Sequence, residues 1–408
     1  MNRDLIVKAL NKASPYGPDI NLEKFQLGLP SSDSMVSSSP ISDTMVERIS
    51  NRLGFSNNVV KKAGYLQVNE SVMMRTMSEK LEKHGAIVLP TRDALKKFEW
   101  VKDYSWKLIN PDKDKYVAAV YLYGNELGYF IYVPRNTKIK EPIYTCLFMT
   151  KNNLAQLLHN IVIVDNDAEL NLVTGCGVPD QPLGSLHAGI SEFYVGKNAK
   201  LTFTMIHAWS PGMFVRPRTT VEVMDGGEFV NYYVIYSSVN SLQTYPQVIL
   251  RDNAKATLTS VIMGRGESIY DVGSAVTLAG KNSSGEILSR NLGRGKSKIY
   301  ARSRIDGASG PSKGHIECLG LLEDDTSIIN AIPELSSSTP DAILTHEAAI
   351  GKINEELINY LMSKGFTEDE ARAAIIKGFL HVEEPKLPPQ VMDTIKRIIE
   401  YIVSKATG

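Results

Sequence analysis

The chain has 408 residues, of which 43% are hydrophobic, and its 45 basic residues are balanced by 45 acidic ones. That length allows a large core or several domains, and the balanced charge argues against a surface that follows the phosphates of a nucleic acid. No run of eighteen apolar residues predicts a membrane helix, and the residues after Met1 lack the apolar core of a signal peptide. Three cysteines, odd in number and far apart, argue against a disulfide framework and predict a reducing cytoplasm.

The first third of the chain predicts short, mixed elements. Residues 1–27 are weakly helical, and residues 28–43 are rich in serine and proline, which is typical of a loop or linker. Thr44–Leu53 and Met74–His84 predict short helices. Two strands rich in aromatic and β-branched residues are predicted next: Tyr116–Leu122 and Tyr129–Val133.

From about residue 140 the chain repeats a unit of strand, tight Asp/Asn/Gly turn and strand. The small residue that closes each turn recurs at Ala168, Ala199, Gly227 and Ala254, in steps of 31, 28 and 27 residues. Such self-similarity is typical of a solenoid, in which each unit buries its apolar face on the next. We therefore predict a mainly β fold with a right-handed parallel β-helix core. An antiparallel sandwich or a propeller with similar turn spacing is the alternative.

The hydrophobic period changes after residue 350. Ile353, Leu357 and Leu361 fall at helical spacing, Gly365 fits a C-cap, and Thr367 opens a capping box. Prolines at 385, 388 and 389 end that helix, and a third amphipathic helix follows from residue 391 to residue 402.

Three regions follow from these patterns. We predict an N-terminal helical or mixed region over residues 1–110, a β-helix core over residues 111–345 and a C-terminal helical domain over residues 346–408. The helical domain has two open interpretations: a cap that closes the end of the solenoid, and a docking platform for a partner protein.

Familiar catalytic motifs are missing from the sequence. Gly293–Ser297 ends like a phosphate loop, but Arg290 stands where the first glycine is needed and strands surround the segment. His346 and Glu347 would open a zinc-protease motif, yet Ile350 occupies the position of the second histidine. We find no nucleophile elbow and no convergent acids of a carbohydrate-active β-helix enzyme. We therefore expect no catalytic activity in this chain.

Cys318, His346 and Glu347 are the candidate ligands for a metal ion or cluster. They offer a thiol, an imidazole and a carboxylate near the same end of the β-rich region. A lone cysteine is more often a small buried hydrophobe, and Cys176, which lies between two glycines, fits either role. A set with so few thiolates would bind a cluster weakly and release it readily.

Seven segments of the sequence carry a resemblance to a known family: Ser185–Gly189, Trp209-Ser210, Glu317-Cys318, Ala331–Leu335, His346–Ala348, Leu361–Phe366 and Lys377–Phe379. Together they resemble the SufB/SufD family, the scaffold proteins of the SUF iron–sulfur cluster assembly machinery. The resemblance extends over roughly residues 140–405. It implies a parallel β-helix with flanking helical domains, in a complex of two scaffolds paired through their β-helices and two ATPases.

The resemblance also implies roles for individual residues. Cys318 matches the SufB cysteine proposed to hold the nascent, transient iron–sulfur cluster; Glu347 matches the acid beside it, and His346 matches the histidine that SufD contributes. Cys176 matches the cysteine proposed to accept sulfur first, from a cysteine desulfurase, and His207 and Trp209 lie on the same sulfur path. The residues expected to dock SufC, an ABC-type ATPase, are Ile353, Leu357, Leu361, Phe366 and Phe379.

The chain departs from both halves of the family. His207-Ala208-Trp209 stands where SufB has Gln-Asn-Trp, and Phe148-Met149-Thr150 stands where SufB has Arg-x-Asn. In length the chain is closer to SufD, but Thr345-His346-Glu347 replaces the Ser-His-Gly of SufD. Two expectations stay open. The first is a scaffold that pairs with itself or with a paralogue, and the second is a SufD-like partner that only docks the ATPase and a separate SufB.

Overall fold

The computed structural model describes residues 2–28, 43–55, 64–75, 83–179, 184–380 and 389–406. The helices of these residues are α1 (Arg3–Ala9), α2 (Asp43–Arg52), α3 (Thr91–Lys97), α4 (Lys115–Tyr123), α5 (Glu355–Ser363), α6 (Glu368–Leu380) and α7 (Pro389–Ala406). Two 3₁₀ turns cover Leu22–Lys24 and Glu99–Tyr104.

The strands are named in chain order. They are β1 (Tyr65–Val68), β2 (Ser71–Arg75), β3 (Ile87–Pro90), β4 (Tyr129–Val133), β5 (Ile143–Phe148), β6 (Ala155–Val164), β7 (Glu169–Gly177), β8 (Leu186–Val195), β9 (Lys200–Ala208), β10 (Phe214–Val215), β11 (Arg218–Val223), β12 (Glu228–Ile235), β13 (Ser241–Thr244), β14 (Gln247–Leu250), β15 (Lys255–Met263), β16 (Ile269–Leu278), β17 (Ser284–Gly293), β18 (Lys298–Gly307), β19 (Ser312–Leu322), β20 (Ile328–Ser337) and β21 (Ala342–Lys352).

From β4 onward the chain winds as a parallel coil with two sheets. One sheet contains β5, β7, β9, β12, β15, β17, β19 and β21 as successive neighbours. The other contains β4, β6, β8, β11, β14 and β16, and continues through β18 to β20. Each turn of the coil adds a strand to both sheets, and the pairs are parallel. The predicted mainly β, parallel β-helix fold is confirmed against the sandwich and the propeller, while its hand stays a prediction.

One corner of the coil is a stack of similar tight turns. In the first four a backbone N–H donates to the carbonyl three residues earlier, as in Ala168 to Asp165 (3.1 Å) and Ala254 to Arg251 (3.2 Å), and in the fifth the Ser283 hydroxyl donates to the Gly280 carbonyl at 2.7 Å. The residue before the closing one has a positive φ in every copy: Asp167, Asn198, Gly226, Asn253 and Asn282. Asn, Asp and Gly are the residues that adopt this left-handed conformation at low cost. The Asp/Asn/Gly period recognised in the sequence is thus the period of this corner.

Alternate residues of each strand point into and out of the coil. The inward side chains of both sheets form one continuous apolar core, which includes Leu170, Leu201 and Phe229. The outward side chains of β5, β7, β9, β12 and β15 form a second core with α2, α5, α6 and α7, in which Ile206 and Val230 pack. Helix α2 and the three C-terminal helices therefore meet on one outer face of the coil.

The predicted strand Tyr116–Leu122 is wrong, because these residues belong to α4. The Asp114 carboxylate caps the helix by accepting from the backbone N–H groups of Tyr116 and Val117, both at 3.0 Å. Residues 115–120 are all buried, so the helix shows no polar stripe that would reveal its period. A short, uniformly apolar run cannot be told from a strand by periodicity alone. The neighbouring strand Tyr129–Val133 is confirmed as β4.

Other N-terminal predictions have mixed outcomes. The helix Thr44–Leu53 is confirmed by α2. The helix predicted from Met74 is wrong at its start, because residues 71–75 form β2, which pairs with β1. Most of the loop predicted over 28–43, and residues 76–82, lie outside the described residues.

The C-terminal helices follow their sequence signals. Thr367 and Glu370 form the reciprocal capping box: the Thr367 N–H donates to the Glu370 carboxylate at 2.8 Å, and the Glu370 N–H donates to the Thr367 hydroxyl at 3.2 Å. Gly365 has a φ of +99°, as a C-cap requires. Pro389 is the first residue of α7, a favoured helix position, whereas Pro385 and Pro388 lie outside the described residues. The domain limits stay a prediction, but β21 runs across the expected boundary between residues 345 and 346.

Glycines bring α2 against the coil. A Cβ at Gly175 would lie 2.5 Å from the Phe55 ring and 2.8 Å from Leu53, and one at Gly177 would lie 2.9 Å from Ile49. The Arg52 guanidinium donates to the carbonyls of Val178 and Trp209. Helix α2 is therefore fixed to the part of β7 that contains Cys176.

Replacing Gly175 tests this packing. The added methyl of Gly175→Ala cannot fit beside two fully buried side chains, so we expect destabilisation by about 1 to 3 kcal/mol. Gly351→Ala is the matched control, because a Cβ there meets nothing within 4 Å. Urea unfolding followed by circular dichroism measures both. Equal midpoints for the two variants would contradict the packing.

Candidate functional site

Of the three cysteines, one lies on the outer side of the coil wall and two lie on the inner side. Cys146 points outward into the second core, whereas Cys176 and Cys318 point inward into the first. All three are free thiols and buried. Burial raises the pKa of Cys146 to about 12 and that of Cys176 well above its usual value. The two inward thiols are the ones that share a common interior space.

A row of polar and sulfur-containing side chains runs along the inner wall toward Cys318. Five side chains occupy the same register position on β9, β12, β15, β17 and β19, and together they are called the inner row: Met205, Tyr233, Ser260, Ser289 and Cys318. With neighbouring strands about 4.8 Å apart, the row spans roughly 19 Å. Its first member is joined to Cys176, whose Sγ lies 3.7 Å from the Met205 sulfur. The coil thus connects the two inward cysteines.

Side chains do not completely cover the inward-facing residues at one end of this row. Met205, Tyr233 and Ser260 face the interior, yet each keeps part of its surface accessible. Ser289, in contrast, is buried and accepts a hydrogen bond from the Asn291 amide at 2.7 Å. The open space therefore lies toward the Cys176 end of the row.

Cys318 sits near the last turns of the coil with a polar neighbour. The Ser303 hydroxyl is 3.5 Å from its sulfur, and the side chain is 1% exposed. Burial raises the pKa of this thiol, against the smaller effect of the Ser303 hydrogen bond. On the opposite side of the strand, Arg290 forms an ion pair with Glu317. The thiol is therefore protonated at neutral pH in the isolated chain.

His346 and Glu347 lie on β21, the strand next to Cys318, but on opposite sides of the sheet. His346 is in register with inward-facing Ile316, and Glu347 is in register with outward-facing Glu317. Cys318 pairs with Ala348, two residues after His346, so the imidazole and the thiol share a side while the carboxylate does not. The side chains of His346 and Glu347 are both exposed. Among the described residues no three His, Cys, Asp or Glu side chains form a group that could hold a metal ion.

Cys176 lies in a buried cluster of rings. It is in register with His207, and the His207 ring lies 5.4 Å from Trp209 and 5.1 Å from Tyr233, centroid to centroid. His187 lies 4.9 Å from Trp209. Burial lowers the pKa of His187 to about 3 and that of His207 well below its usual value, so both imidazoles are neutral. The three residues predicted for the sulfur path are thus neighbours, and Cys176 itself is shielded from solvent.

The residues predicted to dock a partner divide into two groups. Leu357 and Phe366 are exposed, as are their neighbours Tyr360 and Met362. Ile353, in contrast, is buried in the second core, against which Leu361 and Phe379 pack in part. Those three residues pack toward the coil, whereas the exposed group lies on α5 and in the loop after it.

Sequence reasoning missed Met205, Tyr233, Ser260 and Ser289. None of them belongs to a motif, and the signal that could have found them is the repeat itself. The steps of 28 and 27 residues that relate the corner turns also relate Met205 to Tyr233 and Tyr233 to Ser260. Gly293–Ser297, which resembles a phosphate loop, is a turn that leads into β18, with the Gly295 N–H donating to Asp324.

Comparisons with known proteins agree on one family. The family model for the SUF system FeS cluster assembly, SufBD core domain, matches residues 147–379. An iron–sulfur cluster assembly SufBD family protein of Methanothermobacter thermautotrophicus is 38% identical over 399 residues, 96% of each chain. A protein with the same description from Archaeoglobus fulgidus is 41% identical over 85% of this chain and 92% of its own. The iron–sulfur cluster assembly protein SufB of Bacillus subtilis is 29% identical over 84% of this chain and 74% of its own.

Across the described parts of the chain, no helix combines the length and the apolar character needed to span a membrane.

The raised pKa of Cys146 predicts a pH-dependent stability. In the unfolded chain a thiol has a pKa of about 8.5, but burial raises the pKa of Cys146 to about 12 in the fold. The folded state therefore keeps a proton that the unfolded state loses above pH 8.5. This contribution is complete below pH 8.5 and is lost progressively up to pH 12, by about 2 kcal/mol between pH 8.5 and pH 10.

Comparing Cys146→Ala with the unchanged chain isolates this effect. We expect the free energy of unfolding, measured by urea titration at several pH values, to fall less steeply above pH 8.5 in the variant. Parallel curves from pH 8 to pH 10.5 would show that the thiol has no raised pKa.

Proposed function

Because the chain belongs to the SufBD family of SUF-system iron–sulfur cluster assembly proteins, we propose that it is a scaffold that assembles a transient iron–sulfur cluster at Cys318. The observation that carries this proposal is the inner row, which links Cys176 to Cys318 through side chains in register. Cys176, at the far end of this row, would accept sulfur from the persulfide of a cysteine desulfurase: the S–S bond of the donor breaks as the S–S bond at Cys176 forms, and the Cys176 proton passes to the thiolate of the donor. The cluster is cargo, since one thiol is far fewer than the several that stable clusters use.

We propose that a second scaffold chain, either another copy or a paralogue, completes the ligand set. One chain supplies Cys318 and His346 on the same side of the last strand pair, and Glu347 on the other. The sheet order ends at β21, which leaves an edge of unpaired backbone groups, and such edges favour pairing with another chain. Ile343 on β21 is 61% exposed, and Ile328 and Ile350 are also exposed. Pairing at this end would bury them and bring two sets of donors together.

We also propose that the exposed surface of α5 docks a SufC-type ATPase. Leu357 and Tyr360, which are one turn apart on α5, and Phe366 after the helix present exposed apolar side chains there, and exposed apolar patches mark protein interfaces. The helices below are joined to the coil by Ile353, Ile358 and Ala371 in the second core. ATP-driven movement of two docked ATPases would therefore be transmitted to the coil that carries Cys318. The chain itself would be non-catalytic and cytoplasmic, where free thiols persist.

One observation favours the second candidate, a SufD-like partner that docks the ATPase and a separate SufB. Cys318 is almost fully buried, and its pKa is raised by that burial, which are properties of a structural cysteine. In that role the chain would bind the ATPase without carrying a labile cluster when purified alone.

Reconstitution with ferrous iron and sulfide under anaerobic conditions tests the cluster assignment. Cys318→Ala should lose most of the visible absorbance of the cluster, because it removes the proposed thiolate ligand. Cys146→Ala is the matched control, since it removes an equally buried thiol that points out of the coil. Full and equal absorbance in the two variants would exclude Cys318 as a ligand, and absence of the absorbance from the unchanged chain as well would favour the SufD-like role.

The docking surface is tested by binding to a SufC-type ATPase in a calorimeter. The double variant Leu357→Ser with Phe366→Ser should bind at least about tenfold more weakly, because truncating central apolar anchors commonly costs more than 1.4 kcal/mol. Leu5→Ser removes a similarly exposed side chain on α1 and should leave the affinity unchanged. Unaltered binding of the double variant would place the ATPase elsewhere.

A further inference from the structure

Cys176 has a second sulfur and an imidazole beside it. Cys176 lies on β7 with Met205 and His207 on the adjacent strand β9, and all three face the interior of the coil. Its Sγ is 3.7 Å from the Met205 sulfur. Cys176 and His207 are fully buried. A thiol, a thioether and an imidazole are therefore neighbours on two adjacent strands.

The imidazole of His207 has a free nitrogen. Its Nδ1 is 2.9 Å from the Tyr233 hydroxyl, while its buried Nε2 finds no hydrogen-bond partner within the described part of the chain. When Nδ1–H donates to the tyrosine oxygen, Nε2 carries the lone pair. A histidine whose other nitrogen is held by a hydrogen bond is the usual arrangement of a metal ligand. A buried nitrogen without a partner is otherwise costly.

The spacing of the sulfurs fits a metal ion between them. An ion about 2.3 Å from each of two sulfurs, at an open angle, separates those sulfurs by roughly 3.7 to 4.0 Å. Thiolate and thioether ligands together select Cu(I) over harder cations. The buried rings of His187 and Trp209 on the imidazole side also exclude the water and carboxylate oxygens that hard cations prefer.

We propose that Cys176, Met205 and His207 form a binding site for one soft monovalent cation, of the class of Cu(I) and Ag(I). The Cys176 S–H bond breaks as the metal–sulfur bond forms, and one proton leaves to solvent for each ion bound, with no change of oxidation state. Met205 and Tyr233 keep part of their surface accessible, whereas Cys176 and His207 do not, so the ion would enter from the side of Met205 and Tyr233. The site is independent of Cys318, which lies at the far end of the inner row.

The test uses the full chain with Cys146→Ala and Cys318→Ala, so that Cys176 is the remaining thiol. Titration with Ag(I), and anaerobic competition for Cu(I) against a bicinchoninate chelator, should show one tight site per chain. Adding Cys176→Ala should abolish it. Met205→Leu and His207→Gln, which preserve size, should each weaken it at least about tenfold, and Tyr233→Phe about tenfold through the orientation of His207.

X-ray absorption of the Cu(I)-loaded chain gives a readout that a structural role would not change. It should show two sulfur neighbours and one nitrogen neighbour, and one sulfur after Met205→Leu. Tight binding that is unaffected by Met205→Leu and His207→Gln, or one-sulfur coordination in the unchanged site, would overturn the proposal. Thermal unfolding of each variant confirms that it is folded. Iron and sulfide reconstitution of the chain with Cys318 intact is scored separately, so either proposal can fail alone.

Discussion

The parallel hydrogen-bonded register between successive turns of the coil is the constraint on which the rest of the structure depends. Each strand pair is continuous over its length, as in the ten residues of β17 against β19. A side chain at one register position therefore stacks on its equivalent in the next turn, and a slip by one residue would move it to the other face. Met205, Tyr233, Ser260, Ser289 and Cys318 form one inner row for this reason alone. The same constraint divides the adjacent residues His346 and Glu347 between the two faces of β21.

The free-energy cost of burying a charge explains why the thiols and imidazoles inside the coil are uncharged. Burial raises the pKa of both inward thiols and lowers that of His187 and His207, because a charge without a partner is strongly disfavoured in a low-dielectric interior. Some buried hydroxyls satisfy one another, as Thr145 and Thr174 do at 2.7 Å, whereas others, such as those of Thr202 and Thr204, find no partner within the described chain. His207 Nε2 and Trp209 Nε1 find no such partner within the described chain. A native core tolerates few such groups, and these two lie together beside Cys176, at the end of the row where the wall is open.

The solenoid was predictable because its turns impose a repeated backbone requirement that few residue types meet. The left-handed position of each corner selects Asp, Asn or Gly, and this is visible at Asp167, Asn198 and Gly226 without any knowledge of contacts. Helix α4 was not predictable, because residues 115–120 are all buried and its exposed positions, Tyr121 and Tyr123, are aromatic, so it lacks the polar stripe that marks a helix. The inner row was hidden for another reason: a methionine, a tyrosine and two serines share no chemistry, and only their register relates them. The outward position of Glu347 likewise depends on which residues of β21 pair with β19, which no local pattern specifies.

The last turn of the coil, which ends in β21, is more exposed to solvent than the turn before it. Strand β19 alternates buried and half-buried residues, whereas β21 is exposed along almost its whole length. An interior strand is stabilised by neighbours on both sides, and β21 has a neighbour on one side. Its apolar side chains and its free backbone edge thus give the strand a reason to associate that is independent of any cluster. Under the proposed function, the surface that drives association and the residues that bind the cluster are on the same strand pair. Association of the two chains would then be the step that creates a complete set of ligands. Separation of the chains, driven by the C-terminal helices on the outer face of the coil, would be the step that weakens cluster binding.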